Sequence, residues 1–224
     1  MTAVIFDCDG TLVDSEPLAR RAWEITLGER GYTVAAADFA AVVGRSFDTV
    51  HAYFAERVEL PARERFWDEF SAELFALLDS ELRAFADAIA TLDELIAAGV
   101  PVAVASSSSR ERLARTLRLT SLTERFPVSV AGDEVERGKP HPDLFLAAAA
   151  GLGAEPASCV VVEDTAPGVE AGLAAGAAVL AVARDSGARS ALAGAHVVAN
   201  LLSAARVREA AAAARRARAR APAR

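Results

Sequence analysis

The stretch "AVIFDCDGTLVDSE" (residues 3–16) decides the fold. Its first four residues are apolar without polar alternation, and they run straight into Asp7, Asp9 and Gly10. Such a run reads as a strand covered on both faces, and the glycine allows the sharp turn that follows. Four further runs share the pattern: "VPVAVAS" (100–106), "VSVAG" (128–132), "CVVVED" (159–164) and "AAVLAV" (177–182), with "HVVAN" (196–200) as a candidate edge strand. Helical segments separate the later runs: "AIATLDELIAAG", "SRERLARTLRL", "PDLFLAAAAGLG" and "APGVEAGLAAG", several ending in glycine. Strand alternating with helix predicts an α/β fold, a doubly wound, Rossmann-like parallel sheet with helices on both faces.

Residues 16–80 break that rhythm. They hold four helix-like stretches, among them "LARRAWEITLGERG" and "RERFWDEFSAELFALL", and no strand pattern. They therefore read as an all-helical cap domain inserted into a core made of 1–15 and 81–224. The stripe Trp23, Phe66, Trp67 and Phe70 is the expected core of that insertion. From about 206 to 224 the chain carries seven arginines and one glutamate, a basic tail expected to be a helix that frays into a disordered end.

Composition limits the function classes. The 224 residues are 53% hydrophobic and 25% charged, as in a globular protein with one sizeable core. The whole chain stands at −7 and the tail at +6, so the remainder stands at −13, which argues against a nucleic-acid surface. No apolar run approaches the ~18 residues that span a membrane, and the start lacks the basic and apolar segments of a leader. Two cysteines, Cys8 and Cys159, suggest reduced thiols and not a disulfide framework. A cytoplasmic monomer or weak homodimer is expected.

Ligands of open parallel sheets bind beyond the carboxyl ends of the strands. The residues there are acids (Asp7, Asp9, Glu163, Asp164), hydroxyls (Ser106–Ser109) and, after the third strand, Lys139 in "EVERGKPHPD". Lys139 is the only lysine in a chain with 24 basic residues. Carboxylates crowded at one edge repel one another unless a cation sits among them. Oxygen ligands without a His or Cys cluster favour a hard ion, Mg²⁺. Carboxylates, Mg²⁺ and one lysine suit phosphoryl transfer, in which a carboxylate can be the nucleophile and a second one the proton carrier.

The ordered set "DxDGT…S…K…ED" resembles the haloacid dehalogenase superfamily, in the branch with a helical cap after the first motif, over the chain up to about residue 200. The resemblance implies Asp7 as nucleophile and Asp9 as general acid and base. It implies Mg²⁺ held by Asp7, the Asp9 carbonyl and Asp164, with Glu163 directly or through water. Ser106 would bind phosphoryl oxygens, and Lys139 would bridge the phosphate and the nucleophile. Thr11, Ser107 and Ser108 are further candidates for binding the substrate, as are Arg20 and Arg45 of the cap.

Within the superfamily, dehalogenation does not need the second acid, and a cap lysine that forms a Schiff base has no counterpart here. The alternative is a β-phosphoglucomutase-type mutase. At its cap histidine and arginine positions this chain has Ala19 and Phe47, with Arg45 two residues earlier. "FDCDGTLVDSE" with "ALLDSELRAF" looks more like phosphatases of small phosphorylated sugars, 6-phosphogluconate phosphatase included. The Pro-Gly pair that many relatives carry where the cap rejoins the core is replaced by "FADA" (85–88). A third reading makes the arginine-rich tail a binder of nucleic acid or of a membrane surface on a scaffold without enzyme activity. The expected activity is Mg²⁺-dependent hydrolysis of a small phosphorylated metabolite.

Overall fold

The structure is a computed structural model that describes residues 3–42, 45, 47–184 and 188–220. Among these residues six strands form one sheet: β1 (Ala3–Phe6), β2 (Val102–Ala105), β3 (Val128–Val130), β4 (Cys159–Glu163), β5 (Ala178–Val182) and β6 (Val197–Ala199). Every pairing is parallel, in the order β3-β2-β1-β4-β5-β6. The order reverses at β1, so its carboxyl end opens at the switch point of a doubly wound sheet. The register pairs Phe6 with Val104 on one side and with Val162 on the other, which brings Asp7, Ser106 and Glu163 to neighbouring strand ends.

The unalternating strands follow from burial on both faces. Ile5, Ala103, Val161 and Val179 share a cluster with Leu144, Phe145, Ala148 and Val169, which come from α7 (Asp143–Gly151) and α8 (Ala166–Ala174). The alternate residues Val4, Phe6, Val104, Val160 and Leu180 are also buried. The unit that holds the sheet also contains α5 (Ala86–Ala97) and α6 (Arg110–Leu119).

The basic tail departs from expectation. Ala204–Arg220 forms α9, which packs against β4, β5, β6 and α5. Ala204, Val207, Ala210, Ala211 and Ala214 are buried, an apolar stripe at helical spacing with the arginines around it. The expected disordered tail from about 206 is therefore corrected up to Arg220, and residues 221–224 lie outside the described ones.

The chain separates into two compact units, one running up to Val13 and from Ala84 onward, the other Asp14–Arg83. The described residues of the second unit form α1 (Glu16–Gly28), α2 (Ala36–Val42), α3 (Phe47–Ala55) and α4 (Arg63–Glu81). Trp23 stacks on Phe70 with centroids 4.0 Å apart, and Phe47 meets Trp67 edge-on at 4.5 Å. This aromatic cluster joins α1, α3 and α4. Beside it, Asp38 accepts the Ala35 amide at 2.8 Å and the Tyr53 hydroxyl at 2.8 Å, tying α2 to α3.

Candidate active site

Asp7 follows β1, and its amide donates to Val162 O of β4 at 2.9 Å. The turn beyond it needs glycine. Gly10 has φ +79°, and a Cβ there would lie 2.1 Å from Asp164 Oδ2. The same turn holds Thr11, which is fully buried and donates its hydroxyl to Asp164 Oδ1 at 3.1 Å. The first and fourth motifs are thus locked together through Thr11, which orients Asp164.

Lys139 sits between Asp7 and Glu163. Its ammonium donates to Asp7 Oδ1 and, at 2.6 Å, to Glu163 Oε1. The Lys139 side chain is 5% exposed and that of Glu163 not at all, so water does little to screen these charges. Glu163 Oε2 accepts the amides of Asp164 at 2.8 Å and Thr165 at 2.7 Å, and the Thr165 hydroxyl at 2.9 Å. Thr165 also caps α8 by accepting Gly168 N at 3.2 Å. A Cβ on Gly168 would come 1.8 Å from Glu163 Oε1, which accounts for the glycine in "EDTAPG".

Burial pushes the Asp7 carboxyl up to about 8, against the pull of the Lys139 ammonium. Burial also works against the charge on Lys139, but Asp7 and Glu163 outweigh it and raise its proton affinity above the ordinary value. Lys139 is a fixed cation in this site. Burial, with Asp9 and Asp7 nearby, pushes the Cys8 thiol well up, so it stays a protonated core residue.

Asp7, Glu163 and Asp164 each offer an oxygen within 4.8 Å of the others. One lysine does not balance these charges, and three hard oxygen donors without sulfur or imidazole fit Mg²⁺. The carboxylate of Asp9 is not part of that group. Its Oδ2 accepts Ser108 Oγ at 2.8 Å and Ser106 Oγ at 3.3 Å, and its Oδ1 accepts Arg112 Nη2 at 2.7 Å. The Ser108 amide in turn donates to Ser106 Oγ at 3.1 Å. Ser107 is exposed, and Ser109 caps α6 by accepting Arg112 N at 3.4 Å.

The structure thus gathers Asp7, Asp9, Thr11, Ser106, Ser108, Lys139, Glu163 and Asp164 at one edge. Arg20 and Arg45 belong to the unit Asp14–Arg83. Arg20 bonds Glu24 at 3.0 Å and lies over Phe39, while Arg45 is exposed. Arg112 was not found from the sequence. Its partner is 103 residues away, and among the arginines of "SRERLARTLRL" no local signal singles it out.

A sequence model described as haloacid dehalogenase-like hydrolase matches residues 1–176. The chain is 35% identical to bifunctional riboflavin kinase/FMN phosphatase of Arabidopsis thaliana, over 81% of this chain and 48% of that protein. It thus spans about half the length of that relative. It is 36% identical to hexitol phosphatase A of Escherichia coli K12, over 80% of this chain and 81% of that one. Among solved structures it is similar to a HAD family hydrolase of Deinococcus radiodurans R1 with bound phosphate and sodium, at 39% identity and a TM-score of 0.73, covering 96% of both chains.

Proposed function

Because the chain belongs to the haloacid dehalogenase-like hydrolases, we propose that it is a Mg²⁺-dependent phosphatase of small phosphomonoesters, sugar phosphates in particular, acting through an aspartyl-phosphate on Asp7. The observation that carries this reading is the buried set Asp7–Lys139–Glu163 with Asp164 alongside. It combines a carboxylate nucleophile, a fixed cation and a place for a divalent ion. The relative from Arabidopsis is named for FMN phosphatase activity and that from Escherichia coli for hexitol phosphates, which supports a phosphomonoester substrate. The Deinococcus protein was solved with phosphate and sodium, which supports a site for phosphate and a cation.

Asp7 and Asp164, with the Asp9 carbonyl, would hold the Mg²⁺, and Glu163 would act mainly as the anchor for Lys139 and Thr165. When bound, the ion neutralises charge on the phosphoryl oxygens and the nucleophile. An Asp7 oxygen attacks phosphorus as the ester oxygen leaves, and Asp9 gives that oxygen its proton. Asp9 then takes a proton from the water that attacks the aspartyl-phosphate, so that inorganic phosphate leaves and Asp7 is regenerated. Lys139 holds the nucleophile and a phosphoryl oxygen together, and Ser106 and Ser108, whose hydroxyls donate to Asp9 without substrate, would turn them to phosphoryl oxygens when it binds. We assign the helical unit Asp14–Arg83 as the cap that selects the leaving group, with Arg20 and Arg45 as its candidate contacts.

Turnover of a panel of phosphorylated sugars, polyols and FMN, followed by phosphate release with and without Mg²⁺, tests the reading. Phosphate release is expected from at least one class. Isomerisation of a sugar phosphate with little phosphate released would instead indicate a mutase.

A further inference from the structure

We propose that Arg112 is a positioning residue that fixes the carboxylate of Asp9 and so sets the rate of the steps in which Asp9 moves a proton. The inference rests on the reading of Asp9 as acid and base. Arg112 stands in the first turn of α6 and, like Ser106 and Ser108, reaches Asp9. Together the three occupy both oxygens of Asp9: Arg112 on Oδ1 at 2.7 Å, Ser108 and Ser106 on Oδ2 at 2.8 and 3.3 Å. Two hydroxyls alone leave the carboxylate free to swing about the oxygen they hold. The guanidinium on the other oxygen removes that freedom.

Stability does not explain this arrangement. The Arg112 side chain is 18% exposed, and its buried Nε meets no acceptor among the described residues. Leaving a buried N–H unmet costs stability, and a largely buried ion pair recovers little of its desolvation. By contrast, Arg110 on the same helix spreads its donors over Glu134, Ser129 Oγ and Ser129 O. Arg112 gives up such bonds to reach a single carboxylate, one that the chemistry uses.

Steady-state kinetics and thermal unfolding of Arg112→Met, Arg112→Gln and Asp9→Asn, and of Arg112→Met combined with Asp9→Asn, test the proposal. Misplacing a reacting group by about 1 Å costs ~100-fold in rate. A fall in kcat of ~10- to 100-fold is therefore expected for Arg112→Met, with KM and the unfolding midpoint little changed. Arg112→Gln, which keeps an N–H donor, should recover part of the loss and stays informative if the methionine variant folds poorly. In the Asp9→Asn background, Arg112→Met should add almost nothing, because its effect passes through Asp9. Parental kcat in both single Arg112 variants overturns the proposal. So does an equal loss in both backgrounds, or a loss that falls on KM. If Asp9→Asn itself turned over like the parent, the assignment of Asp9 would fall instead, and the two failures are distinct.

Discussion

At the scale of single residues, the site depends on side chains whose size matters as much as their charge. Lys139 is a compact ammonium between two carboxylates in a position that is almost fully buried. A guanidinium is wider and prefers a bidentate partner, so it cannot take that place without moving Asp7 or Glu163. Lys139→Arg should lower kcat at least ~100-fold while the protein still folds, and turnover close to the parent's would contradict this placement. Gly10 makes a second case. Gly10→Ala would place a methyl on Asp164 in a left-handed turn, a conformation that costs about 1–2 kcal/mol for an L-residue. Weaker Mg²⁺ binding, read as a higher half-saturating Mg²⁺ concentration for turnover, together with a lower melting temperature is expected from titrations of the variant. The acids and the lysine could be read from the sequence because each stands at a strand end or in a short motif loop. Arg112 could not, because which arginine of α6 faces Asp9 depends on the rotation of that helix against a strand end far away in the chain.

At the scale of elements, legibility followed periodicity. The unalternating Val- and Ala-rich runs gave six strands, including the short edge strand β6. α9 was missed as a packed element because its arginines dominate the charge count, while the stripe that buries it consists of alanines and one valine. Val207 is fully buried on this helix. Val207→Asp should destabilise the protein by ~3–5 kcal/mol, the cost of a buried unpaired charge. Arg216→Asp on the exposed side should change stability by less than about 0.5 kcal/mol. Denaturant melts of the two variants check this difference, and equal effects would contradict the packing of α9. In the helical unit, Asp38 has a related role. The Ala35 amide, with the Tyr53 and Tyr32 hydroxyls, holds its carboxyl below the ordinary value, against the effect of burial. A lowered value in the folded state means stability that is present above about 4 and lost as pH falls through the folded value. Asp38→Asn should therefore destabilise at pH 7 by ~1–3 kcal/mol, and the difference from the parent should shrink towards pH 3 in urea melts.

At the scale of the whole molecule, the sheet order explains why residues from four distant segments meet. β1 lies between β2 and β4, so the strand that leads into Asp7 is flanked by the strands that deliver the hydroxyls and the remaining acids, while Lys139 arrives from the loop before α7. This much follows from counting strand ends in an alternating chain. The choice of substrate does not: on the function proposed above it falls to the unit Asp14–Arg83, where the sequence offers many arginines and no rule for choosing among them. Mg²⁺ should be necessary for turnover, with activity lost on chelation and restored by the metal. On the proposed mechanism the phosphoryl group passes through Asp7. The most direct measurement mixes the Mg²⁺-loaded enzyme with a labelled phosphomonoester substrate and quenches in acid within milliseconds. A base-labile acyl phosphate on the peptide carrying Asp7, absent in Asp7→Asn, is the predicted result. Undiminished phosphate release by Asp7→Asn, or label on a different residue, would contradict it.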